Sequence, residues 1–121
     1  MGNYLSRDDI LKAGLRTVDV PFRDGELKVQ ELPGAEVQRF FDEGIISFEG
    51  EGENMNVVMD GTKLNFMKIA ASAIIDPETN EPMFSVEELR KLPFGLSERA
   101  ATAAMDVTDW GEEVEEEAKK D

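Results

Sequence analysis

Asp76, Glu78, Asn80 and Glu87 stand at the first, third, fifth and twelfth positions of a segment between two helical stretches. At that spacing side-chain oxygens can wrap a calcium ion. The sixth position, where the motif needs glycine for a sharp turn, is Glu81, and Pro77 and Pro82 stiffen the segment. Glu87 also falls in the first turn of the following helix, where a carboxylate has a role of its own. The four residues are candidate cation ligands. Against them stands a plainer reading, a Pro-rigidified connector whose Met83 and Phe84 anchor back into the core.

Adjacent carboxylates recur at Asp8-Asp9, Glu87-Glu88 and Glu112-Glu113. Acid–base catalysis would need one pair held in a cleft with unequal pKa values, and no cleft signature accompanies any of them. Gly50 and Gly52 lack the lysine and strand–helix setting of a phosphate loop, and the glutamates between them repel phosphate. The chain has no histidine and no cysteine, which removes the commonest general base, the commonest metal ligand and every thiolate or disulfide reading. The sequence therefore predicts no catalytic residue, no cofactor, no metal and no enzyme.

Charge narrows the partners. Twenty-seven acids against 13 bases leave a formal charge of -14 on 121 residues. Affinity for nucleic acid depends on neutralising phosphates with Lys and Arg, so a nucleic-acid partner is not expected. The same charge favours solubility. The apolar stretch 64–75 is far shorter than the roughly 20 residues that span a bilayer, and the first residues lack the pattern of a signal peptide. A soluble protein that stays where it is made, without a membrane partner, is the expectation. Met1-Gly2 with Ser6 matches a myristoylation pattern, but Asp8-Asp9 and a helix start follow at once, and chance explains the match.

The elements that must position these side chains read as α+β, mainly α. A single domain spans 1–111, with an acidic, disordered tail at 112–121. Ser6 caps a helix over 6–13 that carries Asp8 and Asp9 in its first turn and closes at Gly14. A hairpin follows over 16–32. Val18, Val20 and Phe22 alternate with polar or Pro positions, Asp24-Gly25 supplies the turn, and Leu27 and Val29 alternate on the return. Pro21 predicts that the first strand lies at an edge, and the hairpin needs helices or a further strand to cover it. Helices are predicted at 35–43, with Val37, Phe40, Phe41 and Ile45 inward, and at 61–75. Ser85-Val86-Glu87-Glu88 is a capping box opening a helix at 86–92. A last helix, 97–109, places Leu96, Ala100, Ala103, Val107 and Trp110 on one stripe. The segment 49–54, rich in Gly and Glu, reads as a solvated, mobile loop.

The helix at 64–75 has only Asn65, Lys68 and Ser72 as polar residues, all on one narrow stripe. A surface helix of a small domain has one apolar face, not three. Either this helix is central to the fold, or it offers a spare face. The second alternative names Phe66, Ile69 and Ala73 as contacts for a client or for self-association. Trp110, beside Gly111 and the acid tail, is a helix-end staple or a docking residue.

The order of these elements resembles a known family. The helix Leu5-Ser6-Arg7-Asp8-Asp9-Ile10-Leu11 precedes the strand Val18-Asp19-Val20-Pro21 and a returning strand, Leu27 to Leu32. Later come Ala70-Ala71-Ser72-Ala73-Ile74-Ile75-Asp76-Pro77 and Pro82-Met83-Phe84-Ser85-Val86-Glu87-Glu88-Leu89, then an Ala-rich helix and an acidic tail. From Leu5 to about Trp110 this is similar to the tail assembly chaperones of long-tailed (siphovirus) bacteriophages. Where the family's turn carries a glycine, this chain has Asn80-Glu81. The resemblance implies a non-enzymatic chaperone that binds the tape measure protein and the major tail tube protein. It would act in the host cell cytoplasm during tail assembly and be missing from the mature virion. Two other classes follow from the acidity and from the resemblance: an acidic DNA-mimic inhibitor, and a minor structural tail component.

Overall fold

The computed structural model describes residues 4–52 and 56–110. The acid tail expected at 112–121, the Met1-Gly2 pattern and part of the 49–54 loop fall outside those residues.

Helix α1 (Arg7–Ala13) starts at the predicted cap. Asp9 N–H donates to Ser6 Oγ at 3.1 Å and Ser6 N–H to the Asp9 carboxylate at 3.0 Å, so the box closes in both directions. Gly14 ends the helix at φ 58°, a conformation glycine adopts without penalty. Strands β1 (Thr17–Phe22) and β2 (Gly25–Gln30) form the hairpin. Its turn is Arg23-Asp24, one residue earlier than the sequence suggests, because Gly25 pairs with Phe22 and Arg23 takes the positive φ of 55°.

Helix α2 (Gly34–Asp42) turns Phe40 fully inward, with Val37 and Phe41 half-buried beside it. Gly44, at φ 77°, reverses the chain and delivers Ile45 to the core. On either side of the expected 49–54 loop the chain forms strands that the sequence reading did not foresee: β3 (Ile46–Glu49) and β4 (Asn56–Met59) pair antiparallel, Ile46 facing Met59 and Phe48 facing Val57. Phe48 stacks on Phe41 with centroids 4.9 Å apart.

Helix α3 (Lys63–Ala73) is capped by Thr62 and is shorter than predicted at both ends. At its end the chain straightens into β5 (Ile74–Ile75), which pairs antiparallel with β2. The first sheet thus has the order β1-β2-β5, and the Pro21 strand lies at an edge as expected. Two β-branched residues at the helix end favour extended backbone, and pairing Ile74 with Val29 supplies the third strand the hairpin lacks.

Helix α4 (Val86–Arg90) opens on the Ser85–Glu88 capping box. Helix α5 (Phe94–Val107) begins three residues before the predicted start, with Pro93 at its cap. Ser97, expected near the cap, is instead fully buried in its second turn. The buried face runs through Leu96, Ser97, Ala100, Ala101 and Ala104, while Ala103 is only half-buried. Small side chains there let α5 lie close on α3 and across β1 and β2. The result is α+β, about 45% helical and 22% strand, with one core shared by the first sheet, α2, α3, α4 and α5.

Glu31 and Thr108 fasten the ends of this core together. Glu31 is buried, and its carboxylate accepts the backbone N–H of Arg16 and of Asp109, each at 2.8 Å. Leu32 N–H donates to Thr108 Oγ1 at 2.9 Å.

Candidate functional site

The loop at 76–87 is a connector. Asp76 Oδ1 accepts Glu78 N–H at 2.7 Å and Thr79 N–H at 3.3 Å, closing a tight turn on itself. Asn80 takes φ 61°, in the left-handed region that favours glycine, and its side-chain oxygen accepts from Lys28 Nζ at 3.0 Å. Glu87 lies on the far helix, 3.4 Å from Arg90. Asp76 and Glu87 are thus committed to turn and helix contacts, and among the described residues no group of three metal-ligating side chains comes together. Of the four candidate ligands, Asp76, Asn80 and Glu87 each have a partner of their own within the chain. Phe84 packs against the core as expected, whereas Met83 stays partly exposed and contributes its backbone N–H to Ile74.

The spare-face reading of the apolar helix is also corrected. Ile69 and Ala73 are 0% exposed, buried between α3 and its neighbours in the same chain. Phe66 is half-buried, its ring edge-on to Phe94 at 5.4 Å. Helix α3 has α5 and α4 against its sides, which cover Ile69, Ala70 and Ala73 fully and Phe66, Met67 and Ala71 in part, while Leu64 near its start stays exposed. The polar stripe is engaged too. Asn65 reaches the Asp60 carbonyl at 3.0 Å, Lys68 lies 3.6 Å from Glu43, and Ser72 Oγ donates to Glu36 at 3.0 Å. Trp110 is half-buried and its indole N–H donates to the Met105 carbonyl at 3.1 Å, the geometry of a helix-end staple.

Apolar surface is exposed elsewhere, at α1. No residue of this helix is buried; Leu5, Ile10 and Leu11 are 70%, 58% and 61% exposed, and Tyr4 is 98% exposed. A hollow of about 490 Å³ separates Lys12 and Leu15 from Lys28, Ile75 and Asn80. The other exposed large apolar residues (Phe48, Leu64, Met83 and Leu92) are dispersed over separate elements. The signal for α1 is present in the sequence: Leu5 and Ile10 occupy the two positions of a hydrophobic staple around the Ser6 cap, in a helix too short to be stable alone.

Electrostatics set α1 apart as well. Residues 1–30 contain five basic and five acidic side chains, so the entire charge of -14 resides in 31–121. The Ser6 backbone N–H, and then its hydroxyl, hold the Asp9 carboxyl below its ordinary 3.8. On α2, Glu36 is likewise held below its ordinary 4.5, first by its hydrogen bond from Arg39 and then by that from Ser72.

A second concavity, about 540 Å³, lies between the free edge of β1 and α5. Val20, Pro21 and Ala103 form its floor, and Glu98, Arg99 and Asp106 its rim. No described helix is long and apolar enough to cross a membrane. Comparison with protein-family models, with curated protein sequences and with solved structures finds no significant match.

Proposed function

We propose that this chain is a tail assembly chaperone of a long-tailed bacteriophage, a non-enzymatic protein that keeps the tape measure protein and the tail tube subunit soluble until they assemble. The observation that carries the reading is the row of exposed apolar side chains on α1, attached to a strongly acidic domain that does not need them for its own core. A tape measure protein is long, helical and apolar, and an amphipathic helix recognises such a surface by laying its apolar face along it. The net charge of -14 would keep the coated client dispersed. In this reading the client contacts move from Phe66, Ile69 and Ala73 to Leu5, Ile10 and Leu11. The site of action is the host cytoplasm, before the virion is complete.

Co-expression with the tape measure protein tests this, scored by the fraction of client in the soluble lysate. The intact chain should raise that fraction, and Leu11→Asp should abolish the gain while leaving the chaperone itself folded. A client that stays insoluble beside the intact chain, or the chain's presence in purified virions, would overturn the reading.

A further inference from the structure

We propose that the groove between the free edge of β1 and α5 receives an extended segment of another protein. The guest pairs antiparallel with β1 and carries Lys or Arg at i and i+4 around a small apolar residue. The inference rests on strand register and on the groove, not on the chaperone reading. Its test contains no tape measure protein, so either can fail alone.

The register leaves β1 with an open ladder. Phe22 and Gly25 flank a two-residue turn, so they form a hydrogen-bonded pair, and such pairs alternate along an antiparallel ladder. Val20 and Val18 bond to β2 in the same way. Arg16 continues the series by accepting Glu31 N–H at 2.8 Å. The backbone groups of Thr17, Asp19 and Pro21 therefore point away from β2, to an edge that no described strand covers. Thr17 and Asp19 each offer a donor and an acceptor there, and Pro21 offers only its carbonyl. Such groups are a template for strand addition, and Pro21 limits it to a short guest.

Helix α5 selects what the guest carries. Arg99 lies over the Phe22 ring at 5.6 Å, at the end of β1, while Asp109 shares Glu31 with Arg16, at its start. The helix thus runs alongside β1 in the opposite direction, and the hollow of about 540 Å³ between them follows the edge. A guest's side chains opposite Phe22, Val20 and Val18 enter this groove, and those between them face away. The middle one meets Val20 and Ala103, which asks for a small apolar residue. Glu98 and Asp106 stand on the rim about 12 Å apart along the helix. Side chains at i and i+4 of a strand are about 13 Å apart, so each outer one reaches one acid. Neither acid has an ion-pair partner among the described residues, whereas the Arg99 guanidinium is occupied by Phe22. With the chain at -14 overall, the complementary guest is basic.

The probe is a labelled hexapeptide, Lys-Thr-Val-Thr-Lys-Thr, titrated by fluorescence anisotropy with the full chain up to about 1 mM. Amide NMR shifts should be largest at Thr17 and Asp19, which gain acceptors. N-methylation of the second Thr, whose N–H meets the Asp19 carbonyl, should weaken binding at least about tenfold. N-methylation of the Val, whose N–H points away, should leave it as it was, although charge and composition are the same. Glu98→Lys should weaken binding about fivefold, in the range of an exposed ion pair. Antiparallel pairing sets the first lysine at Glu98, so changing that lysine to glutamate should restore binding to the variant, and changing the other should not. Absence of binding, equal effects of the two methylations, rescue by the wrong glutamate, or shifts confined to residues 111–121 would each overturn the proposal.

Discussion

Two truncations of nearly identical chemistry, Ile69→Ala and Leu11→Ala, should differ several-fold in their consequences for stability. Ile69 is 0% exposed in the middle of α3, so its truncation removes buried methylenes and leaves a cavity between α3 and its neighbours. Such changes cost about 2–5 kcal/mol, and a site against rigid helices collapses poorly, which places Ile69→Ala near 3 kcal/mol. Leu11 is 61% exposed on a helix that buries nothing, so its truncation should cost under about 0.5 kcal/mol, the ordinary surface range. Urea unfolding followed by far-UV circular dichroism separates the two. With m of about 1–1.5 kcal/mol/M for a domain of this size, Ile69→Ala should lower the midpoint by about 2–3 M, and Leu11→Ala should barely move it. Equal losses, or a larger loss for Leu11→Ala, would show that α1 is packed and α3 is not, and the arrangement of inside and outside described above would be wrong.

Other perturbations probe single contacts. Glu31→Ala should cost about 1–2 kcal/mol in the same assay, because it removes the acceptor of two part-buried N–H groups, those of Arg16 and Asp109. Ser97→Ala should stabilise by about 1 kcal/mol, read as a rise in melting temperature, since the buried Ser97 hydroxyl has no hydrogen-bond partner among the described residues. Glu36 has its folded pKa held below the ordinary 4.5, so the stability it contributes is complete above that value and is lost as pH falls through the lower folded pKa. A stability profile from pH 7 downward should therefore lose part of its acid limb in Glu36→Gln, and an unchanged limb would remove Glu36 from the account.

Local chemistry made some parts of this fold legible. The Ser6 cap, the Ser85–Glu88 capping box, the edge placement of the Pro21 strand and the inward set of Phe40 and Ile45 follow from signals confined to a few residues, and the structure contains each of them. What depended on distant partners was not legible. Ile74 and Ile75 continue an apolar helical pattern by themselves, and only Val29 and Lys28 across the sheet make them a strand. The β3–β4 hairpin was masked by the Gly and Glu residues at its tip, although Ile46 and Phe48 alternate as a strand should. The exposure of the helices was hidden for the same reason. Composition shows how much apolar area a helix carries but not what faces it, and here the richer helix, α3, has Ile69 and Ala73 covered while the poorer α1 leaves Ile10 and Leu11 exposed.

One carboxylate governs the path of both ends of the chain. By accepting from Arg16 and Asp109 at once, Glu31 holds those two backbone nitrogens within roughly 8 Å of each other, two hydrogen-bond lengths plus the width of a carboxylate. Whatever precedes residue 16 and whatever follows residue 109 therefore depart from a common corner of the domain. A fluorophore attached just beyond Trp110 would act as a short-range reporter of what happens at the first helix.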